Sequence, residues 1–347
     1  MTRARVAVSI GCPCGVGPEV SVVAATRAAG HGAPQVLLVG DEGVVREAAE
    51  GRRIAQKRIV RVAGSQDAWR LPKDRIAVWQ PTRDLSPRDR RPGRPTAKSG
   101  AVQLAWVDAA CDLVTQGSAD ALTTGPVSKA AIVRSGAPGS VGFFGHTEHL
   151  QRRLRAREVV MAFWSPGLVT SLVTTHLPLS RVPAAVTPAA VARAAYWLAW
   201  LLARLAKRAQ RPPRVVVAGL NPHAGEGGLL GREDERRIVP GIARARARLL
   251  ASHIAATIDG PVPAESAFRL AVGKRWDGVV AMYHDQATIP MKLVEFGEAV
   301  NVSLGLPIVR TSVDHGTAYD RAGTWTADAR GMSEALTLAA ALAREAR

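Results

Sequence analysis

The sequence MYHDQATIPMK at 282–292 is followed, after an apolar run that contains glycine, by RTSVDHGTAYD at 310–320. A strand is predicted from Gly278 to Tyr283, and it ends abruptly in His-Asp-Gln. A second strand is predicted from Pro307 to Thr311, and Asp-His-Gly follows it closely. Open α/β sheets bind their ligands beyond the carboxyl ends of their strands. We therefore expect both strand ends to open into one crevice that holds the chemistry of this protein.

Length and composition are those of a globular protein with a sizeable core. The 347 residues favour about two domains, and 47% of them are hydrophobic. No run reaches the roughly 18 uncharged apolar residues of a membrane span, and the basic N-terminus continues at once as a strand rather than as a cleavable signal. The three cysteines are too few for a disulfide framework. We expect a cytoplasmic protein with reduced thiols and no membrane partner.

The formal net charge of +17 has two interpretations. Only 7 of the 46 basic residues are lysines, and the arginines are dispersed, with a local concentration at 236–248. A dispersed excess of this kind is most often a solvated surface; the alternative is attraction of anionic ligands. Interleaved aromatic residues and recognised nucleic-acid reader motifs are missing from the sequence, so we expect no specific nucleic-acid partner.

Apolar strand-like runs alternate with helical patterns along the chain, which predicts an α/β fold. The strand Val6 to Ile10 leads into the glycine-rich loop GCPCGVG at 11–17 and then into a helix opened by Pro18. This loop can present backbone N–H groups to an anion, although its spacing is neither a Walker loop nor a dinucleotide fingerprint. The segment 64–100 is interpreted as a surface excursion with one strand-like interlude. Further strands are predicted at 35–39, 75–79, 119–123, 169–175 and 214–220.

Polar residues accumulate after these strands. Lys129 follows the strand at 119–123, with Ser128 as a helix cap, and is either an ordinary exposed helix lysine or a catalytic one. The sequence GHTE at 145–148 opens a helix whose first turn can hold an anionic group with His146 and Thr147.

Three separate strand ends carry a histidine, namely His176, His223 and His284. Each alone is as well explained by a hydrogen-bonded structural role. Imidazole is the commonest protein ligand for divalent transition metals, and three histidines that converge at one sheet edge leave coordination positions open for a substrate. The set as a whole therefore favours a metal site.

Several longer motifs carry a resemblance that spacing alone does not give. In the same order along the chain, they resemble those of the 4-hydroxythreonine-4-phosphate dehydrogenase family of vitamin B6 synthesis, and they span nearly the whole sequence. The motifs are GCPCGVGPE (11–19), TGPVSK (124–129), GHTE (145–148), TTHLPL (174–179), GLNPHAGEGG (219–228), YHDQ (283–286) and RTSVDHGTA (310–318).

The resemblance implies an architecture. It predicts two α/β/α domains with a cleft between them, related to isocitrate and isopropylmalate dehydrogenases, in a homodimer whose subunits share each active site. On this basis, residues 1–130 together with 300–347 form the α/β domain with the nucleotide-binding loop. Residues 131–299 form the domain with the metal and substrate site and the dimer contacts.

The resemblance also implies a role for each residue that matches a family motif. His176, His223 and His284 match the ligands of a divalent metal such as Zn, Mg or Co, drawn from both subunits. Candidates for the proton acceptor are Lys129, Asp285 and a metal-bound water. The substrate contacts are His146, Thr147, Lys292, Asn301 and Arg310, and the loop for NAD or NADP contains Asp314, His315, Gly316, Thr317, Ala318 and Asp320.

The implied reaction is the NAD(P)-dependent oxidation of 4-phosphooxy-L-threonine to 2-amino-3-oxo-4-phosphooxybutanoate, which loses carbon dioxide to give 3-amino-2-oxopropyl phosphate. The metal would act as a Lewis acid on the reacting oxygen, and Arg310 and Lys292 suit a phosphate or carboxylate. One alternative is a family relative that oxidises another anionic diol or hydroxy acid, such as a phosphoerythronate or a dihydrodiol carboxylate. A third interpretation, outside the family, is a metal-dependent hydrolase or an anion-binding protein.

The chain departs from the family pattern at three places. Cys12 and Cys14 stand where the family usually has Gly-Asp-Pro-Ala-Gly, and they are interpreted as packing residues or, alternatively, as reactive thiols beside the site. The segment RAGTWTAD after Asp320 and the segment Ser140 to Phe144 also differ from the usual sequences. These departures leave open whether the cofactor preference and the substrate pocket are those of the family.

Overall fold

The structure is a computed structural model that describes residues 3–28, 33–206, 211–295 and 297–346. The chain divides into two compact units. One is built from the chain up to Ala156 and from Leu306 onward, and the other is built from Arg157–Gly305.

The strands of the described chain are short and mostly buried. In chain order they are β1 (Arg5–Ser9), β2 (Gln35–Val39), β3 (Ile59–Arg61), β4 (Ile76–Trp79), β5 (Ala121–Thr124), β6 (Val160–Trp164), β7 (Val169–Leu172), β8 (Arg214–Ala218), β9 (Thr257–Val262), β10 (Gly278–Ala281), β11 (Val300–Leu304) and β12 (Arg310–Val313).

The α-helices fall between these strands. They are α1 (Gly17–Arg27), α2 (Glu42–Gly51), α3 (Ser65–Arg70), α4 (Ala97–Thr115), α5 (Lys129–Ser135), α6 (His146–Arg153), α7 (Val182–Ala185), α8 (Pro188–Leu205), α9 (Val239–Ala251), α10 (Ala264–Val272), α11 (His284–Val294) and α12 (Arg330–Ala346). The alternation of helices and strands confirms the predicted α/β fold.

The first unit contains a parallel sheet in the order β3-β4-β2-β1-β5-β12. Its central strand β1 is an apolar run whose residues Val6, Ala7 and Val8 are fully buried, as expected where helices cover both faces of a parallel sheet. Because all six strands run the same way, their carboxyl ends lie at one edge, where the loops after β1, β5 and β12 carry candidate functional residues.

The second unit contains a mixed sheet in the order β11-β6-β7-β10-β8-β9. The pairs β11–β6 and β6–β7 are antiparallel, whereas β7, β10, β8 and β9 pair in parallel. The carboxyl ends of β7, β10 and β8 therefore lie side by side. The predicted strands that carry His176, His284 and His223 are these three neighbours.

Helix starts follow the local sequence signals. The Ser128 side chain accepts from the Ala131 N–H at 3.2 Å and caps α5. Thr187 caps α8 through the Ala190 N–H, and Pro188 is the first residue of that helix. The first cap confirms the prediction for Ser128. Ser and Thr satisfy the free N–H groups of a first turn, and proline lacks such a group.

The structure differs from the sequence predictions in the extent of the units. The first unit continues to Ala156, past the predicted boundary at residue 130, because α5 and α6 pack on α4. Leu104 of α4 forms a buried cluster with Ile132 and Phe143, and His149 of α6 contacts Asp108 of α4 at 2.6 Å. His146 and Thr147 therefore belong to the first unit.

The strands also differ from the sequence predictions. The strand predicted at 307–311 forms at Arg310–Val313, and no strand was predicted at β3, β6, β9 or β11. The strand ends β10 and β12, which were expected to share one crevice, belong to different units.

Among the described residues, no single helix is long and apolar enough to cross a membrane. One bent pair of helical segments, 179–185 with 188–205, has the length and composition of a membrane span, and nothing else supports that interpretation.

Candidate functional site

The three candidate metal ligands follow adjacent parallel strands of the second unit. His176 lies beyond the end of β7, His284 begins α11 just beyond β10, and His223 lies beyond β8. The rings of His176 and His284 approach to 5.5 Å between centroids. The fold therefore brings two of the three predicted ligands together within a single chain.

His284 is held in an orientation that leaves one ring nitrogen available. Its Nδ1 lies 2.7 Å from Asp285 Oδ1, and its side chain is 39% exposed. A carboxylate that accepts one imidazole N–H fixes the tautomer of the ring and directs the other nitrogen outward, as in many metal sites. Within the residues that the structure describes, no group of three His, Cys, Asp or Glu side chains is close enough to hold a metal ion.

Side-chain hydrogen bonds tie the three strand ends to one another. Thr174, beyond β7, donates its hydroxyl to the Met282 carbonyl oxygen beyond β10 at 2.7 Å. Gln286 accepts from the Met282 N–H at 2.6 Å and donates to the Gly219 carbonyl oxygen, beyond β8, at 3.0 Å. Neither residue was assigned a role from the sequence, although Gln286 belongs to the polar strand end His-Asp-Gln. They fix the relative positions of the loops that carry the histidines.

His223 lies in a short left-handed turn. The φ angles of His223, Ala224 and Glu226 are 52°, 53° and 43°, and three glycines in the same turn also have positive φ. Left-handed backbone costs an L-residue about 1–2 kcal/mol, so other contacts must impose this conformation. His223 is exposed to solvent, and it does not join His176 and His284 in a metal-holding group of three among the described residues.

A buried carboxylate clamps the start of that turn. Asp234 is 1% exposed, and its two oxygens accept from the Leu220 N–H at 2.8 Å and from the Asn221 N–H and amide at 3.1 and 2.9 Å. Glu233 accepts from the same amide at 2.9 Å. Asp234 is a positioning residue that sequence reasoning missed, although its place in an acidic cluster before a helix was visible.

Two residues of the second unit that are predicted to contact the substrate lie on separate secondary-structure elements. Lys292 is exposed on α11, the helix that begins with His284, and Asn301 is half-buried on β11 opposite Phe163 of β6.

A buried cation occupies the first residue of β12 in the first unit. Arg310 is 2% exposed, and its guanidinium donates to Thr124 Oγ1 at 2.7 Å. Burial lowers the pKa of Arg310 to about 10, and Glu148 opposes that shift. The group therefore remains charged at neutral pH, which is costly in a buried position unless an anion or an acidic partner offsets it.

Other predicted anion-binding residues surround this cation. Burial lowers the pKa of His146 well below its ordinary value, and the charges of Arg310, His149 and Lys129 add to the effect. His146 is half-buried as a residue, but its Nε2 is covered and has no hydrogen-bond partner among the described residues. A neutral imidazole beside buried positive charge suits hydrogen bonding to an anion. Thr147 is buried in the same first turn of α6, and Lys129 Nζ lies close to Gly145.

The predicted cofactor loop, residues 314–320, packs on the glycine-rich loop, residues 11–17. The Val16 N–H donates to the Thr317 carbonyl oxygen at 3.0 Å, and Cys12 Sγ lies 3.4 Å from the Tyr319 hydroxyl. Gly15 allows this approach, because a Cβ there would lie 2.6 Å from the Thr317 oxygen. The fold thus joins two loops that the sequence had suggested separately as an anion cradle and a cofactor site.

The segment after the cofactor loop is anchored by a buried carboxylate that was also missed. Glu19 is 1% exposed and accepts from the Arg52 side chain at 3.0 Å and from the Ala327 N–H at 2.9 Å. Arg52 also donates to the Trp325 carbonyl oxygen at 2.7 Å. Burial raises the pKa of Glu19, and its two hydrogen-bond donors oppose that shift. The departure from the family sequence after Asp320 is therefore an ordered segment.

The profile of the family described as "Pyridoxal phosphate biosynthetic protein PdxA" matches residues 32–339 of this chain. The chain belongs to the PdxA family. The resemblance that the motifs indicated is thereby confirmed.

Three proteins resemble this chain over nearly its whole length. A protein named 4-hydroxythreonine-4-phosphate dehydrogenase from Desulfosudis oleivorans is 37% identical, covering 97% of this chain and 95% of that protein. The crystal structure of 4-hydroxythreonine-4-phosphate dehydrogenase from Klebsiella pneumoniae matches with a TM-score of 0.81 at 30% identity, over 99% of this chain and 100% of that one. A terephthalate 1,2-cis-dihydrodiol dehydrogenase from Burkholderia xenovorans matches with a TM-score of 0.65 at 30% identity, over 98% of each chain.

Replacing Asp234 by asparagine is expected to destabilise this PdxA-family chain by about 1–3 kcal/mol, since an amide NH₂ would face N–H donors that need an acceptor. We also expect altered backbone resonances at 220–228. Thermal unfolding and NMR of a labelled sample would measure both. Glu233→Gln is the matched control, because Glu233 accepts only one of the bonds in this cluster; equal effects of the two substitutions would contradict the clamp.

Proposed function

We propose that this chain is a dehydrogenase that oxidises 4-phosphooxy-L-threonine with NAD, dependent on a divalent metal, and that the keto acid product then loses carbon dioxide. The observation that carries the proposal is the row of histidines beyond three adjacent strand ends, two of them with ring centroids 5.5 Å apart. Relatives with the same full-length match carry the name of this activity.

The anionic group of the substrate is assigned to the first unit. Arg310 presents a buried guanidinium, which can hold a phosphate oxygen pair in a fork, and His146 and Thr147 add neutral hydrogen-bonding groups. Lys129 contributes a point charge close to Gly145. In the second unit, Lys292 and Asn301 are assigned to polar contacts with the substrate.

The metal is assigned to His176, His284 and His223. Two of the three residues fit a metal in this chain, because the rings of His176 and His284 lie 5.5 Å apart between centroids and Asp285 orients His284. A divalent metal held there would polarise the oxygen of the alcohol that becomes the carbonyl. The third position is assigned to a histidine of a second copy of the chain.

The hydrogen bond to His284 separates the roles of the two candidate bases. Asp285 Oδ1 is engaged by the imidazole at 2.7 Å, which supports a role in orientation. Lys129 begins α5 and is exposed, so it is free to exchange a proton with a bound substrate. We assign proton transfer to Lys129, with a water as its alternative.

The nucleotide is assigned to residues 314–320. The neighbouring loop 11–17 leads into the N-terminus of α1, where backbone N–H groups and the helix dipole favour a negatively charged phosphate. The lack of a Gly-x-Gly-x-x-Gly sequence fits a cofactor loop at 314–320 rather than a dinucleotide fingerprint after β1.

A homodimer is part of the proposal. Large apolar side chains are exposed on the segments that follow β7, β8 and β10, the same strand ends that carry the histidines. Exposed apolar patches of this kind mark interaction surfaces. These side chains are Leu177, Leu179, Leu229, Leu230, Ile289 and Leu293.

Replacing Leu293 by glutamate is therefore expected to convert a dimer into monomers, because a carboxylate would be buried without a partner. Light scattering at micromolar concentration would measure the mass. Leu250→Glu is the matched control, since Leu250 is 80% exposed on α9 and Leu293 is 81% exposed. A monomeric wild-type protein, or two equally dissociated variants, would contradict the proposed surface.

The function is tested by following NADH absorbance with purified protein, NAD, a divalent metal and 4-phosphooxy-L-threonine. Metal-dependent NADH production is the expected result. If the folded, metal-loaded protein produces no NADH with this substrate, the proposed substrate is wrong.

A second candidate substrate class is an anionic cis-dihydrodiol. It is favoured by the full-length match to the terephthalate dihydrodiol dehydrogenase and by the unusual segment at 140–144, which places Phe143 beside the His146 ring. NADH production with a dihydrodiol carboxylate, and none with the threonine phosphate, would select it.

A further inference from the structure

The loop between β1 and α1 carries two cysteines that are separated by one residue. Cys12 and Cys14 are both fully buried. Cys12 Sγ lies 3.4 Å from the Tyr319 hydroxyl, and the Cys14 thiol donates to the Asp89 carbonyl oxygen at 3.3 Å. No step of the proposed reaction uses either sulfur.

The surroundings of Cys12 favour its thiolate form. The neighbouring Cys14 side chain, the Tyr319 hydroxyl and the backbone N–H groups of Cys14 and Gly15 lower the pKa of Cys12, whereas burial opposes them. The neighbouring Cys12 side chain and burial raise the pKa of Cys14. A thiolate-prone sulfur beside a protonated thiol is the arrangement of an attacking and a resolving cysteine.

We propose that Cys12 and Cys14 form a reversible disulfide on exposure to a hydroperoxide, and that this oxidation loosens the 314–320 loop from the 11–17 loop. In the first step the Cys12 thiolate attacks a peroxide oxygen, the O–O bond breaks, and the hydroxide that leaves takes a proton to become water. In the second step Cys14 attacks the sulfenic sulfur of Cys12 and the S–O bond breaks. The departing hydroxide takes the Cys14 proton to form a second water.

The two loops are coupled through the same atoms. Cys12 contacts the Tyr319 hydroxyl, and the Val16 N–H bonds the Thr317 carbonyl oxygen at 3.0 Å. A disulfide draws Cys12 Sγ toward Cys14. The contact with Tyr319 is then lost, and the 11–17 loop changes its conformation. The disulfide itself does not depend on the proposed function; only its effect on a nucleotide at 314–320 rests on that proposal.

Burial sets which oxidants can react. Both side chains are fully buried, so a small peroxide should reach Cys12 during local opening, whereas a bulky aromatic disulfide reagent should react slowly with the folded chain. Cys111 is the internal control. It is buried on α4 and burial raises its pKa to about 11, and no thiol lies beside it in the sequence.

The primary test is mass spectrometry of the full-length protein after treatment with hydrogen peroxide. Trypsin releases Cys12 and Cys14 in one peptide, 6–27, and Cys111 in another, 99–129. The expected result is a 6–27 peptide lighter by two hydrogen atoms, restored by dithiothreitol, with the 99–129 peptide unchanged. Free thiols in both peptides, or equal oxidation of Cys111, would overturn the proposal.

Three further measurements separate a thiol pair from a structural role. In the Cys14→Ser variant, oxidation should stop at a Cys12 sulfenic acid that dimedone traps. Tyr319→Phe should slow disulfide formation several-fold, since it removes one hydrogen-bond donor to the thiolate. In the oxidised wild-type protein the Val16 amide should exchange hydrogen faster. Unchanged exchange at Val16 in a fully oxidised sample would overturn the coupling to the 314–320 loop, whether or not the chain proves to be a dehydrogenase.

Discussion

Replacing His284 by alanine is expected to lower kcat/KM for the metal-dependent oxidation by about 1,000-fold, which corresponds to about 4 kcal/mol of transition-state stabilisation. His284 is half-buried, faces His176 at 5.5 Å between ring centroids, and is oriented by Asp285. Without its ring nitrogen, the metal loses a ligand and the alcohol oxygen loses its Lewis acid. We also expect the affinity for Zn or Co to fall, because each ligand contributes directly to binding.

Metal content by mass spectrometry and NADH formation would measure the two effects on the same sample. The matched control is His253→Asn. His253 is exposed beyond α9 with a φ of 52°, a conformation that asparagine tolerates, and it lies on none of the strand ends that carry the candidate ligands. Unchanged metal content in the His284 variant, or the same loss in the His253 variant, would contradict the assignment.

Replacing Arg310 by methionine is expected to reduce kcat/KM by about 100- to 1,000-fold, mainly through a higher KM. A hydrogen bond to a charged group contributes about 1.5–3 kcal/mol, and the guanidinium can make two such bonds to one phosphate. We expect no large loss of thermal stability. The desolvation free energy of a buried charge often equals the free energy gained from its contacts, and methionine fills a similar volume. Arg310→Lys should recover only part of the affinity, since lysine lacks the planar fork.

Steady-state kinetics and thermal unfolding would test this prediction together. Thr124→Val is the control for orientation: it keeps the shape of the side chain and removes only the acceptor that lies 2.7 Å from the Arg310 guanidinium. We expect its KM to rise less than that of Arg310→Met. A fully active Arg310→Met variant would exclude Arg310 from anion binding.

Local signals in the sequence were sufficient for the fold class and for the strand ends that matter. Hydrophobic runs and their polar ends predicted β1, β2, β8 and β10, because burial of a parallel strand demands a continuous apolar segment. Caps such as Ser128 and Thr187 act within one turn, so they could be predicted without the rest of the chain. The strand β9 was missed, since its Asp-Gly-Pro sequence is typical of a turn and is tolerated at the edge of a sheet.

The contacts that position the candidate residues were not predictable in this way. Asp234 reaches back to the N–H groups of residues 220 and 221, Gln286 reaches Gly219, and Glu19 accepts from Ala327, 308 positions along the chain. A residue type alone does not reveal such partners, because each depends on which loops the fold places side by side.

The sequence by itself determined which chemical groups are available. These are three histidines that follow strands, basic side chains that suit an anionic substrate, and motifs along the chain that resemble those of the PdxA family. Only the tertiary structure decided how those groups are arranged. It brings His176 and His284 together, holds His223 apart in a left-handed turn, and places Cys12 against Tyr319. The physical reason is that strand order, loop conformation and burial are set by contacts between distant segments, which a local pattern of residues does not contain.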